Sequence, residues 1–167
     1  TLRERGIPIH IGHSAANVTD DIEFVIRTAA VHDDNPEVHE AHRRGIPVFE
    51  RTQAWGALMR GYPNALCISG THGKTTTTSM CTHIMMAAEK DPTVMIGGTL
   101  PLLHACHRVG KGNTIIMESC EYYNSFLSLN PTIAVVLNIE ADHLDFFKDI
   151  EDIKHSFRQF AERVPAE

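Results

Sequence analysis

Residues 70–76 read Gly-Thr-His-Gly-Lys-Thr-Thr and lie between a short apolar run, 65–69, and a helix-like segment that begins near Thr75. A turn of this kind gathers backbone N–H groups and the positive end of a helix at one point in space, which favours a phosphate. Gly70 and Gly73 let the backbone approach an anion with no Cβ in the way. Lys74 supplies a mobile cation for β and γ phosphates, and the Thr75 hydroxyl can ligate magnesium. The longer pattern G-x-x-x-x-G-K-[ST] would need glycine at position 68, where this chain has Ile68. The loop is therefore a shortened relative of that pattern, and Gly70, Thr71, His72, Gly73, Lys74, Thr75 and Thr76 form the candidate nucleotide cradle.

Phosphoryl transfer needs further ligands, because magnesium takes near-octahedral oxygen coordination and charge developing on the transferred group must be neutralised. In sheets of parallel strands these ligands belong at the carboxyl ends of neighbouring strands. The apolar run 113–119 delivers Glu118 at its end, with Glu121 just after. The run 132–138 delivers Asn138, followed by Glu140, Asp142, His143 and Asp145. Lys74, Glu118 and His143 are thereby expected at one sheet edge.

The elements that must position these groups alternate in type. Segments 7–12, 22–26, 46–50, 65–69, 93–97, 113–119 and 132–138 are short, rich in Ile and Val, and bounded by turn residues, so each is predicted to be a strand. Helices are predicted over 36–45, with Asn35 as cap, Pro36 in the first position and Gly45 at the end, and over 52–61, 75–88 and about 149–163. Met80, Ile84 and Ala87 are expected on the core face of the third helix. Ile150, Ile153, Phe157, Phe160 and Val164 form the stripe of the fourth. Strands alternating with helices imply an α/β fold with a mainly parallel sheet covered on both faces, divided near residues 60–64.

The chain has 167 residues, 43% of them hydrophobic, and a net charge of −6, enough for real cores and unlike the clustered basic surface a general nucleic-acid binder needs. Cys67, Cys81, Cys106 and Cys120 form no C-x-x-C pair and are read as reduced small hydrophobes. No window approaches 18 uncharged apolar residues, and the opening TLRERGIPIH lacks the apolar core of a signal peptide. A cytoplasmic location without membrane insertion is expected.

The loop GTHGKTTTT followed by NIEADHLD resembles the Mur ligases of peptidoglycan synthesis, and GHSAANV at 12–18 with DDNPEVHEAHRRGIPVFERTQAWGALM at 33–59 resembles the same family upstream. The resemblance implies the latter part of a Rossmann-like UDP-sugar-binding domain over 1–61 and the first part of a P-loop ATPase-type central domain over 62–167, with the family's amino-acid-binding domain absent. It implies an ATP- and magnesium-dependent amide ligase. The motif pair favours the branch that uses UDP-N-acetylmuramate, and the main expectation is that L-alanine is joined to its lactyl carboxylate through an acyl phosphate.

Carried over by motif, Lys74 binds the β and γ phosphates, Thr75 and Glu118 hold magnesium near the γ phosphate, His143 ligates a second magnesium, and Asn138 lies near the nucleotide. His13, Asn17 and Glu121 are implied as substrate contacts. The family pattern E-A-D-E-S-D reads ESCEYY here, with Cys120 and Tyr123 in place of the two aspartates. This departure bears on neighbouring substrate contacts and leaves Glu118 in place. Since catalysis needs groups oriented in a closed site, these 167 residues alone are expected to have little or no ligase activity.

Two other readings remain at this point. A recycling ligase that joins a ready-made tripeptide to the same UDP-sugar would share the loop and the first domain, and a non-catalytic nucleotide-binding module would need only the loop. A switch GTPase would normally offer N-K-x-D, which does not occur. The His39/His42 and His104/His107 pairs are not assigned to metal. Trp55 and Met59 are read as packing, and Tyr122 and Tyr123 as either packing or substrate wall.

Overall fold

The computed structural model describes residues 2–166, which form two compact units, one up to Ala54 and one from Trp55 onward. In the first unit, β1 (Val25–Arg27) pairs in parallel with β2 (Val48–Glu50), Val25 opposite Val48. Between them runs α1 (Pro36–Arg43), whose Asn35 cap accepts the Glu37 N–H at 2.9 Å and whose Val38 and Ala41 are buried. Gly45, at φ 70°, closes it in the left-handed conformation that glycine adopts without cost.

The segment 7–12, predicted as a strand, is not one. It follows a 3-10 turn at Arg3–Arg5 and runs without ladder partners, leaving Ile7, Ile9 and Ile11 exposed. An apolar run becomes a strand only when another strand offers its N–H and C=O groups, and among the described residues of this unit only β1 and β2 do so. The predicted strand at 22–26 likewise shortens and shifts to Val25–Arg27.

The second unit is built on a five-stranded sheet in the order β5-β4-β6-β3-β7, comprising β3 (Asn64–Ser69), β4 (Thr93–Leu100), β5 (Ala105–Arg108), β6 (Thr114–Glu118) and β7 (Ile133–Val136). All neighbours are parallel except β4 and β5. The strand β5, which contains His107, is not among the strands expected from the sequence. Its four residues, Ala-Cys-His-Arg, carry no apolar alternation, and their pairing is antiparallel after a turn through His104.

Strand alternation sends Ala65, Cys67, Ile115 and Met117 to one face of the sheet. There they pack on α4 (Ile150–Ala161) through Ile153, Phe157 and Phe160, and on Phe126. Leu66, Ile68, Val94, Ile96 and Ile116 face the other side, toward Cys81 and Met85 of α3 (Lys74–Ala87). Burial of each large side chain in these layers contributes roughly 1.5–3 kcal/mol. Val164, expected in the α4 stripe, lies beyond the end of that helix.

The core face of α3 differs from expectation. Thr78 and Thr82 are fully buried, while Met80 and Ile84 are 52% and 65% exposed. A threonine can face a sheet closely because its hydroxyl can return to its own helix, as Thr82 does to the Thr78 carbonyl at 2.8 Å. Apolar periodicity alone could not distinguish this face from the opposite one. The unit also includes α2 (Arg51–Met59) from Trp55 on, with Met59 buried. No helix among the described residues is long and apolar enough to cross a membrane.

Candidate active site

Because β6, β3 and β7 are adjacent and parallel, the loops that follow them leave the sheet at the same edge. The β3–α3 loop, residues 70–73, is shaped by two glycines at φ 141° and 85°. A Cβ on Gly70 would stand 3.1 Å from the Asn138 backbone, so the tight passage over the β7 loop also requires glycine there. Gly73 caps α3 without any side-chain hydrogen bond, so the cap residue gives the first helical N–H groups no side-chain acceptor.

Asn138 holds this loop from the neighbouring strand end. Its Oδ1 accepts the His72 N–H at 2.8 Å, its Nδ2 donates to the His72 carbonyl at 3.0 Å, and its carbonyl accepts the Thr71 N–H at 3.1 Å. The Thr71 hydroxyl accepts the Glu140 N–H at 2.9 Å. Asn138 thus acts on the loop backbone through both ends of its amide. The His72 ring is exposed, 3.7 Å from the Glu140 carboxylate. Thr71 to Thr76 and Glu118 line a cavity of about 400 Å³.

Lys74 bends back into the loop. Its Nζ donates to the carbonyls of Gly70 and Thr71 and to both Glu121 oxygens, at 3.2 and 3.0 Å. Glu121, read from sequence as a substrate contact, is only 3% exposed at its side chain, and its Oε1 lies 4.0 Å from His143 Nε2. His143 stacks on Tyr122 at 4.4 Å, and the Tyr122 hydroxyl donates to Asp145, which holds that phenol above its ordinary pKa.

Glu118 stands beside Thr75: the Thr75 hydroxyl donates to Oε1 at 2.9 Å, and the Gly97 N–H donates to Oε2 at 2.7 Å. Gly97 was not singled out from sequence. The signal was the Gly-Gly pair inside β4, which marks a close approach: a Cβ on Gly97 would sit 2.7 Å from Glu118.

The Thr75 hydroxyl and the Glu118 carboxylate, side by side at the β3–α3 loop, are a hard, all-oxygen donor pair. That pair fits magnesium, which is usually held by one or two protein oxygens together with nucleotide phosphates and water. Among the described residues no three His, Cys, Asp or Glu side chains converge as a metal cage. His143 contacts Glu121 rather than Glu118.

In the first unit, His13 and Asn17 meet at α1. His13 Nδ1 lies 2.8 Å from Glu37 Oε2, and Asn17 Nδ2 donates to Oε1 at 2.6 Å. Burial acts to raise the Glu37 pKa, but the bonds from Asn17 and His13 outweigh it and leave that carboxyl below its ordinary value. All four cysteines are unpaired, and burial pushes the Cys67 thiol up to about 11.

Residues 68–167 match the model of the Mur ligase middle domain. The chain belongs to the Mur ligase family. A second model, described as the catalytic domain of the Mur ligase family, matches residues 1–63. The chain is 50% identical over 97% of its length to the UDP-N-acetylmuramate--L-alanine ligase of Lachnospira eligens, of which it spans 35%.

Among solved Mur ligases, the chain superposes on UDP-N-acetylmuramate-alanine ligase MurC of Thermotoga maritima with a TM-score of 0.85 at 33% identity, over 97% of this chain and 38% of that one. The UDP-N-acetylmuramate:L-alanyl-gamma-D-glutamyl-meso-diaminopimelate ligase of Neisseria meningitides gives 0.85 at 25% identity, over 99% of this chain and 56% of that one. The chain thus spans about a third of the length of the curated relative it matches.

Proposed function

We propose that this chain is the nucleotide-handling part of an ATP-dependent ligase that joins L-alanine to the lactyl carboxylate of UDP-N-acetylmuramate. The observation that carries this reading is the meeting of Lys74, Thr75, Glu118 and Glu121 at the carboxyl edge of β3 and β6, next to a helix start with no side-chain cap. In this reading Lys74 and the N–H groups of residues 73–75 bind the β and γ phosphates. Thr75 and Glu118 hold magnesium, which when bound draws charge from the transferred group.

The chemistry requires such a concentration of positive charge. A carboxylate is a poor acylating agent until one oxygen becomes a leaving group, and phosphorylating it means bringing two anions together. Transfer of the γ phosphate to the carboxylate gives an acyl phosphate. Attack by the amine of L-alanine then breaks the C–O bond, releasing inorganic phosphate and leaving the amide. His143 is proposed as a ligand of a second magnesium, on the strength of its motif. His13 and Asn17 are proposed as UDP-sugar contacts in a domain over 1–61, with 62–167 as the nucleotide domain, both on the basis of the family resemblance.

The test is the full-length gene product supplied with ATP, magnesium and UDP-N-acetylmuramate, with either L-alanine or the tripeptide, and scored by product mass. Formation of the L-alanine adduct with stoichiometric phosphate release is the expected result. An adduct with the tripeptide alone would transfer the reading to the recycling ligase, as the Neisseria likeness allows. Nucleotide binding with no adduct at all would make the chain part of a binding module.

A further inference from the structure

The Lys74 ammonium has three N–H bonds and four acceptors within reach: the carbonyls of Gly70 and Thr71 and both oxygens of Glu121. It has no free proton for a phosphate oxygen, so a phosphate can reach it only by displacing one of these partners. The Glu121 pair is enclosed, at 14% and 3% side-chain exposure. A carboxylate this close to bound phosphates also repels them.

The same carboxylate faces His143 at 4.0 Å. Its position is over-determined. Two residues after it, Tyr123 takes a left-handed backbone conformation at φ 53°, followed by Asn124 at φ 55°, and a tyrosine adopts that conformation only under constraint. The constraint comes from α4: Asn124 accepts a hydrogen bond from Ser156, and Phe126, fully buried, stacks on Phe160 at 4.6 Å and 9°.

We propose that Glu121 is a positioning residue that competes with the nucleotide: its buried carboxylate holds Lys74 of the β3–α3 loop and His143 of the β7–α4 loop in one arrangement, at a cost in phosphate affinity. The proposal rests on the nucleotide reading given above. It separates two quantities that a merely structural carboxylate would move together. Neutralising Glu121 removes a repelling charge and frees Lys74, so nucleotide affinity rises; it also loosens Lys74 and His143, so turnover falls.

The experiment uses the full-length protein, with ATP alone and ATP with magnesium titrated by calorimetry, and with turnover measured in parallel. For Glu121→Gln the expected result is a Kd for ATP lowered about fivefold, within the range of ordinary site coupling, with kcat reduced at least about threefold. Any other combination overturns the proposal, including a weaker Kd with a slower kcat. Should that variant fail to fold, Glu121→Asp decides. It keeps the charge but is one methylene too short to span both partners, and a loss of turnover under threefold would overturn the proposal, a larger one support it. Failure of the unaltered protein to bind ATP would count against the nucleotide reading instead, so the two failures are distinct.

Discussion

Thr75 and Glu118, 43 residues apart in sequence, share a hydrogen bond of 2.9 Å, and the N–H of Gly97 closes on the other carboxylate oxygen at 2.7 Å. The β4 backbone therefore sets where the proposed magnesium ligand points. Gly97→Ala would place a Cβ 2.7 Å from Glu118 Oε1, against a side chain that can swing away. The expected outcome is a loss of magnesium-dependent turnover in the full-length protein of about tenfold, with stability changed by less than about 1 kcal/mol. Turnover across a magnesium titration, beside a thermal melt, checks it. Unchanged turnover would show that the contact does not set the site.

What the sequence made legible here is what local chemistry dictates. Gly70, Gly73 and Lys74 point to the phosphate loop proposed above because each residue type answers a short-range need, and Glu118 and Asn138 are placed by counting to the ends of continuous apolar runs. Glu121 and Gly97 were harder to read because their roles are relations between strands. Nothing in the neighbourhood of Glu121 in the chain says that it will be buried against a lysine 47 residues away. The same limit explains segment 7–12, whose apolar residues lacked a partner, and α3, whose fully buried positions are threonines that a hydropathy pattern assigns to solvent.

Asn138 carries a prediction about the loop itself. Replacing it with Asp keeps the acceptor for the His72 N–H, removes the donor to the His72 carbonyl, and adds a negative charge beside the proposed phosphate site. Both changes work against an anion. The affinity for ATP is expected to fall at least about tenfold in Asn138→Asp, while Asn138→Ala, which adds no charge, falls less. Calorimetric titration of the two variants orders them, and an equal loss in both would refute the electrostatic part.

Phe126 joins the Glu121 segment to the core. It is fully buried, stacks on Phe160 and meets Phe157 edge-on at 5.2 Å. Truncation in Phe126→Ala leaves a cavity between two helical segments that cannot collapse onto each other, so a loss of about 3–5 kcal/mol is expected in chemical denaturation. A loss under about 1 kcal/mol would show that this packing does not secure the segment.

Asp91 yields a prediction about pH. The Arg108 guanidinium bonded to Oδ1, and the Lys111 N–H donating to Oδ2 at 2.8 Å, hold its carboxyl below the ordinary value. A carboxyl depressed in the folded state stabilises the fold fully above its unfolded pKa of about 3.9, and that contribution disappears as pH falls through the lower folded value. Asp91 has a left-handed backbone at φ 46°, which asparagine tolerates equally well, so Asp91→Asn removes the charge without adding strain. The variant should melt below the parent at neutral pH, and the gap should narrow as the pH drops below about 4, where the parent's carboxylate takes up its proton. Parallel melts from pH 7 to 2 test this, and a gap that stays constant across the series would mean that the ion pair with Arg108 contributes nothing to the fold.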